Sequence, residues 1–456
     1  MIAPMQSVVR SLAIVGAVVF WTAATTDAHD IIPGAPQTAP ILIRNATVHD
    51  GDGGVIDDGD VLFDRGTITR VTEHIDAPEN ATVIDGAGRH VYPGLIDAYT
   101  NIGLREITAV DVTIDDHERG RDNPNVRSWL AFNPDSELIP VGRAGGVLAA
   151  HVVPDGPFWK GQSAVMMLDG WSAEEMLVRG PAGLCIDWES MVPRVDRHGV
   201  NGSPNSSADR NHAKQRAEKA NERFDEFIKR LDEAARYDRA THSNPSTPTD
   251  LRLASLVPYT RNQGKIFVWA NRWEAIVSAV EVLAARGMQI VICGGADSGR
   301  CAERLRDREV PVIITATHRL PRRRHDAYDD AYTLPARLHD AGVRFAIAGE
   351  GAGYPGGASN LRNLPHHAAT AVAHGLPAEA AVAAMTGAAA GILGVDDSIG
   401  VLRKDHSATL IMTDGDLLES TTRVIDAYVH GRRVDLDNRH RQLHRKYRTK
   451  YERQQP

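Results

Sequence analysis

Three cysteines in 456 residues, Cys185, Cys293 and Cys301, are too few and of the wrong parity for a disulfide framework. Cys293 and Cys301 could pair where the surroundings are oxidising. However, Cys293 ends the apolar run Gln289-Ile290-Val291-Ile292-Cys293, and burial as a small hydrophobe is the expectation. A long hydrophobic run is missing from the amino-terminal segment. The apolar stretch Ser11 to Ala24 has fourteen residues, short of the ~20 that a spanning helix needs. Positive charge is not in excess. The net charge of −8 argues against nucleic acid, which favours clustered Lys and Arg. Basic residues gather only between Arg432 and Arg453, with Asp435, Asp437 and Glu452 among them. A solvated terminal helix is expected there, with a polyanion-binding arm as the alternative.

What is present at the start reads as a targeting segment. Arg10 supplies the positive charge, the apolar stretch follows, and Thr26-Asp27-Ala28 is an acceptable cleavage site, with Ala24 as a second choice. Residues 1–28 are therefore read as a signal peptide; an uncleaved membrane anchor is the other reading. The protein is expected to be exported, periplasmic or extracellular, with no stable membrane span once the segment is removed.

Strand-like patterns occupy residues 40–92 and recur at 398–436, and neither part shows a helical period. The two pieces are expected to form one small β-sandwich built from both ends of the chain. Between them, over 93–397, apolar strand runs alternate with helices. Eight candidates stand at Gly94–Ala98, Val147–Val153, Ala164–Leu168, Leu184–Trp188, Ile266–Ala270, Gln289–Cys293, Val310–Thr315 and Val343–Ala348. After Trp269, residues Ile276, Val277, Val280, Leu283 and Ala284 fall at helical spacing and Gly287 ends the run. This predicts an α/β fold, a (β/α)8 TIM-like barrel carrying the sandwich. An open doubly wound sheet is the runner-up, but no Gly-rich phosphate fingerprint follows the first strand. Residues 193–258 interrupt the rhythm. There Asn211–Arg239 reads as a charged helix with Phe224, Phe227, Ile228 and Leu231 on one face, lying either over the barrel mouth or along its side. Residues 437–456 form the charged tail.

The run Tyr92-Pro93-Gly94-Leu95-Ile96-Asp97-Ala98 resembles the first barrel strand of the amidohydrolase superfamily, especially its imidazolonepropionase-like branch. Asn133-Pro134-Asp135-Ser136-Glu137, Gly349-Glu350-Gly351 and the segment from Gly394 to Thr409 resemble the same family, in the same order. The resemblance covers residues 40 to 436. It implies hydrolysis of C–N bonds other than peptide bonds, in amides or cyclic amides, with one or two divalent metals such as zinc. That chemistry needs imidazole and carboxylate donors converging on one point, so that bound water ionises near neutral pH.

The family's His-x-His pair at the first strand corresponds here to Tyr99 and Asn101. Residues i and i+2 still share a face, but a neutral phenol and a carboxamide are poor ligands. The histidine positions of the fifth and sixth strands correspond to Trp269 and Gly294, and the aspartate of the eighth to Glu350. These five positions are expected to line a pocket at the barrel's carboxyl end. Trp269 there is read either as filler for vacated volume or as a stacking platform. Glu350 and His318 are the candidate catalytic groups. His151 and Asp187 could join them in a relocated polar site, with Lys160 near the same end; His366-His367 is given no role beyond capping.

The sequence thus predicts an amidohydrolase-like protein whose metal centre is degenerate, with hydrolysis impaired or lost. No cofactor is expected, and zinc only if the family chemistry survives. A non-catalytic binder of a small amide-like ligand is the alternative. So is an assembly protein forming homo- or hetero-oligomers, for instance with an active paralogue.

Overall fold

Strand-forming residues from the two ends of the chain pair with each other. A computed structural model describes residues 32–193, 207–352 and 357–454. The expected signal segment and most of the polar loop that begins at Asn201 lie outside the described residues. Pro33–Pro456 form one unit. The chain begins with β1 (Ile41–His49), β2 (Val55–Asp64), β3 (Thr67–Thr72), β4 (Thr82–Asp85) and β5 (His90–Pro93). The barrel strands follow: β6 (Leu95–Thr100), β7 (Val147–Val152), β8 (Trp159–Met167) and β9 (Leu177–Asp187). Its second half is β10 (Lys265–Ala270), β11 (Gln289–Gly294), β12 (Val312–Ile314) and β13 (Phe345–Ile347). Last come β14 (Leu410–Thr413), β15 (Val424–Val429) and β16 (Arg432–Arg433).

For the terminal strands the sequence predicts a sandwich. They are joined by hydrogen bonds into one eight-stranded sheet, in the order β16-β15-β14-β5-β1-β2-β3 with β4 beside β1. The joint is β5, parallel to β1 and antiparallel to β14. β1 pairs with β4 through Ile41–Arg44 and with β5 through Thr47 and Val48, and its register against β2 shifts between Ile43 and Ala46, where Asn45 adopts φ 57°. Asp60 accepts a hydrogen bond from the Asn45 amide there at 3.0 Å. The sheet carries its own core, including Ile43, Val61, Phe63, Val91, Leu410 and Tyr428. Phe63 meets the Tyr428 ring edge-on at 5.1 Å. Truncating Phe63 to alanine would cost ~3–5 kcal/mol, because it leaves a cavity in a buried aromatic pair.

All eight predicted barrel strands are present, side by side in chain order from β6 to β13. Asp97 on β6 accepts a hydrogen bond from the Gly349 amide, just beyond β13, and so ties the first strand to the last. One feature departs from the regular (β/α)8 pattern: β8 runs antiparallel to both β7 and β9. Only six residues separate Val152 from Trp159, whereas a parallel crossover takes about a dozen or more. The chain can only turn back. The reversal moves the start of β8 to the barrel's carboxyl end, where Trp159 pairs with Ile186 near the end of β9.

The insertion between β9 and β10 folds as the helix Ser207–Ser243 followed by Leu251–Thr260. Phe227, Leu231 and Ala234 on its apolar face are buried. Phe227 stacks on Trp159 at 5.0 Å and meets Trp188 edge-on at 5.2 Å. Trp159 and Trp188 stand at the carboxyl end of the barrel, so the helix packs over its rim. The tail folds as the helix Arg439–Glu452, capped by Asn438, with no buried residue. Among the described residues no helix is long and apolar enough to cross a membrane.

Candidate functional site at the carboxyl end of the barrel

Two strand ends on opposite sides of the barrel meet through their aromatic residues. Tyr99 of β6 stacks on Trp269 of β10, with ring centroids 5.4 Å apart and planes 22° apart. Tyr99 is buried and Trp269 half-buried. Burial pushes the Tyr99 phenol well above its ordinary range, so it stays neutral.

A lysine occupies the space beside this pair. The reversal of β8 brings Lys160 to the same end, with its ammonium 5.7 Å from the Trp269 ring centroid. Its side chain is 8% exposed and its Nζ donates to Asp155 Oδ1 at 3.0 Å. Burial alone would lower the Lys160 pKa, but Asp155 and Asp187 outweigh it and hold the group above its usual value. Asp155 is held below the carboxylate range by the same lysine, against the effect of burial. Asp187, which ends β9, is pushed upward, by burial above all. A cation–π contact and a partly desolvated ion pair therefore stand at the barrel mouth.

Of the residues singled out in the sequence, Tyr99 and Trp269 come into contact. Asn101 lies just past β6 and donates to Ala352 O at 2.9 Å and to Asp116 at 3.2 Å, while its own Oδ1 is buried without a hydrogen-bond partner. Gly294 ends β11 at φ 91° and is followed by Gly295 at φ 61°. A Cβ at Gly294 would come within 2.8 Å of the Asn271 carboxamide. A histidine here would have to displace that carboxamide and hold a left-handed backbone that L side chains rarely adopt. Glu350 Oε2 accepts from Asn360 at 2.9 Å.

His318 is exposed and bonded to the helix Leu364–Ala373. Its Nε2 meets Thr370 Oγ1 at 2.8 Å and its ring stacks on His367 at 4.1 Å. Burial, then repulsion from the neighbouring histidines, lowers the His367 pKa to about 3. His151 is fully buried inside the barrel, with Nδ1 2.8 Å from Ala98 O and Nε2 2.7 Å from Ser163 Oγ. Burial lowers its pKa to about 4, so the ring is neutral. A carbonyl can only accept, so Nδ1 carries the proton and Ser163 donates to Nε2. The spacing is that of a nucleophile and its base, but both side chains are sealed from solvent and the pair can only hold the interior together. Among the described residues no hydrogen bond joins any two of His151, Asp187, His318 and Glu350.

Sequence reasoning missed Asp155, which lies in a loop outside every motif. It also passed over the carboxyl of Asp97, pushed up to about 6 by burial although the Tyr99 and Gly349 amides donate to it.

A divalent metal does not fit the donors on this rim. Among the described residues no group of three or more His, Cys, Asp or Glu side chains is placed to hold one. Four of the five expected ligand positions carry a phenol, a carboxamide, an indole and a glycine; the fifth keeps the carboxylate of Glu350, which accepts a hydrogen bond from Asn360.

Comparisons with known proteins agree with this architecture. The sequence profile of the amidohydrolase family matches residues 211–434. An amidohydrolase from Thermotoga maritima MSB8 superposes with a TM-score of 0.73 over 87% of this chain and 99% of its own, at 24% identity. A molinate hydrolase superposes at a TM-score of 0.51 over 88% of this chain and 95% of its own, at 16% identity. Identities this low show the shared fold alone. Amidohydrolase tasK of Hapsidospora irregularis is 31% identical over 134 residues, 25% of this chain. Protein unc-33 of Caenorhabditis elegans is 32% identical over 80 residues, 18% of this chain. The chain spans 14% of the length of the first of these relatives and 8% of the second. The carboxyl-terminal half, residues 211–434, thus carries the match to the amidohydrolase family, and the chain shares its fold with a solved amidohydrolase.

Proposed function

We propose that this chain is an imidazolonepropionase-like amidohydrolase that binds a small amide-like molecule at the carboxyl end of its barrel and has lost the metal-dependent hydrolysis of C–N bonds. One observation carries this reading. Where imidazoles would converge on a metal, Tyr99 and Trp269 stack and the Lys160 ammonium sits against the indole. A lone positioned acid or base such as Glu350 supplies about 10²–10⁴-fold, short of the roughly 10⁶-fold or more usual for enzymes. The family match is what favours the rival reading, in which hydrolysis of non-peptide C–N bonds survives.

The test combines elemental analysis of the purified protein with turnover of an amide panel, with and without added zinc. Substoichiometric metal and no zinc-dependent turnover are expected. Stoichiometric zinc or iron, with turnover abolished by a chelator, would overturn the proposal.

The segment 1–28 is proposed to direct export to the periplasm or beyond, which fractionation and amino-terminal sequencing of the mature chain check. Self-association, or association with a metal-bearing homologue, is the assembly reading. A strictly monomeric state in sedimentation, with no co-purifying homologue, would remove it.

A further inference from the structure

The rim contains a cleft of about 420 Å³ that the barrel shares with the insertion helix. On one side stand Asp187 and the half-buried Trp269, from the ends of β9 and β10; on the other stand Lys219 and Arg223 of the insertion helix. Lys219 and Arg223 are four residues apart, so they share a helix face. The volume lies within the roughly 300–1,000 Å³ range of small-molecule sites.

The charges that line the cleft are not balanced. Glu189, which also borders it, is neutralised by Arg272 at 2.6 Å and by two backbone amides. Lys160, beside Trp269, is neutralised by Asp155. Arg223 donates to the carbonyl of Ser190 at 2.9 Å, a neutral partner. Among the described residues Lys219 makes no ion pair. Two cations therefore face one carboxylate, and burial already makes the charge on Asp187 costly. The surplus is a single positive charge, which suits a monoanion better than a phosphate dianion. Asp187 remains as an acceptor for an N–H, and the uncovered part of Trp269 offers apolar surface.

We infer that this cleft binds a small organic carboxylate that also carries an N–H. Lys219 and Arg223 hold the carboxylate, Asp187 accepts from the N–H, and the apolar part of the ligand lies against Trp269. The inference rests on the amide-binding reading above and names the ligand's charge. It also gives the insertion a role: the cations that select the ligand come from the helix, while the barrel supplies the floor.

Hippurate and its uncharged analogue hippuramide are suitable probes, titrated calorimetrically into the full-length mature protein at low and high salt. Hippurate is expected to bind more tightly than hippuramide, with an affinity that falls as salt is added. The double variant Lys219→Gln/Arg223→Gln should lose about 10–100-fold in hippurate affinity, as expected for two charge-assisted hydrogen bonds. Its hippuramide affinity should stay unchanged. Lys219→Gln alone, which leaves the bond from Arg223 to Ser190 in place, should show an intermediate loss. Equal affinity for the two probes, an unaffected double variant, or no binding of hippurate would each overturn the inference. Equal affinity would leave the amide-binding reading standing. Zinc-dependent hydrolysis of hippurate with the Lys219 and Arg223 dependence intact would instead sink that reading and keep this one.

Discussion

The indole of Trp269 and the phenol of Tyr99 lie 5.4 Å apart, nearly parallel, across the carboxyl end of the barrel. Neither ring can donate a lone pair to a metal as imidazole does. Their contact removes water from both faces that meet, so the volume between β6 and β10 is packed, with the Lys160 ammonium 5.7 Å from the centre of the indole ring.

Restoring the first-strand pair should not restore a metal centre. The double variant Tyr99→His/Asn101→His is expected to bind zinc only weakly. Trp269 still contributes no imidazole, and Gly294 has none to offer, at a φ of 91° where a histidine would be strained. Zinc titration with a competing chelator measures this. Tight stoichiometric uptake would mean that other side chains complete the site.

Lys160 should matter to stability more than a surface lysine does. Replacing it by methionine removes the partner of Asp155 and the main attraction on Asp187. Breaking a fully buried pair costs about 3–5 kcal/mol. Asp155 is 34% exposed, so screening reduces the expected loss to about 2 kcal/mol. Adding Asp155→Asn to Lys160→Met should recover part of it. Urea unfolding at pH 7 of the two single variants and the double variant gives the coupling; strict additivity would show that the pair contributes nothing.

The fold was legible wherever apolar runs alone define an element. All eight barrel strands, the insertion helix and most strands at both ends follow from apolar runs and spacing; the first half of β2, whose Asp57, Asp58, Gly59 and Asp60 read as a turn, does not. The direction of β8 was not read, because apolar content is the same for a strand running either way. Its signal was the short connection between Val152 and Trp159. The site was legible through the resemblance for Tyr99 and Trp269, whose positions follow from strand ends. Asp155 was not, since its place beside Lys160 depends on that reversal. His318 follows its strand as expected, yet hydrogen bonds to Thr370 and stacking on His367 settle it on a neighbouring helix.

His151 should make the protein sensitive to acid. Its pKa is about 4 when folded, against 6.5 for the free side chain. Between these values the unfolded chain takes up a proton that the folded chain refuses. The stability tied to the neutral ring is thus fully present above pH 6.5 and declines as the pH falls toward 4. Asp97, raised from 3.8 to about 6, acts in the opposite sense over an overlapping window. His151→Gln should therefore gain on the wild type by about 3 kcal/mol between pH 7 and 4, whatever its loss at pH 7. Parallel denaturation series across that range measure the difference. A constant offset between the two proteins would show that His151 titrates normally.

Phe227 should control how firmly the insertion helix sits on the rim. Its ring fills the angle between Trp159 and Trp188, and it is fully buried although most of the helix is polar. Phe227→Ala should cost about 3 kcal/mol, the lower part of the range for a buried aromatic, because a helix edge can settle into part of the cavity. The loss should be local. Ala220, Leu231 and Ala234 are the other buried side chains of the helix among its described residues, and the ion pair of Arg230 with Asp122 is partly exposed. Amides of the helix from Phe224 to Ala234 should then exchange about 100-fold faster, with those of β10 and β11 unchanged, since local opening follows local free energy. Hydrogen exchange read by mass spectrometry separates the two regions. Equal acceleration in the barrel strands would mean that helix and barrel open as one unit, and the helix could not act as an independently seated cover.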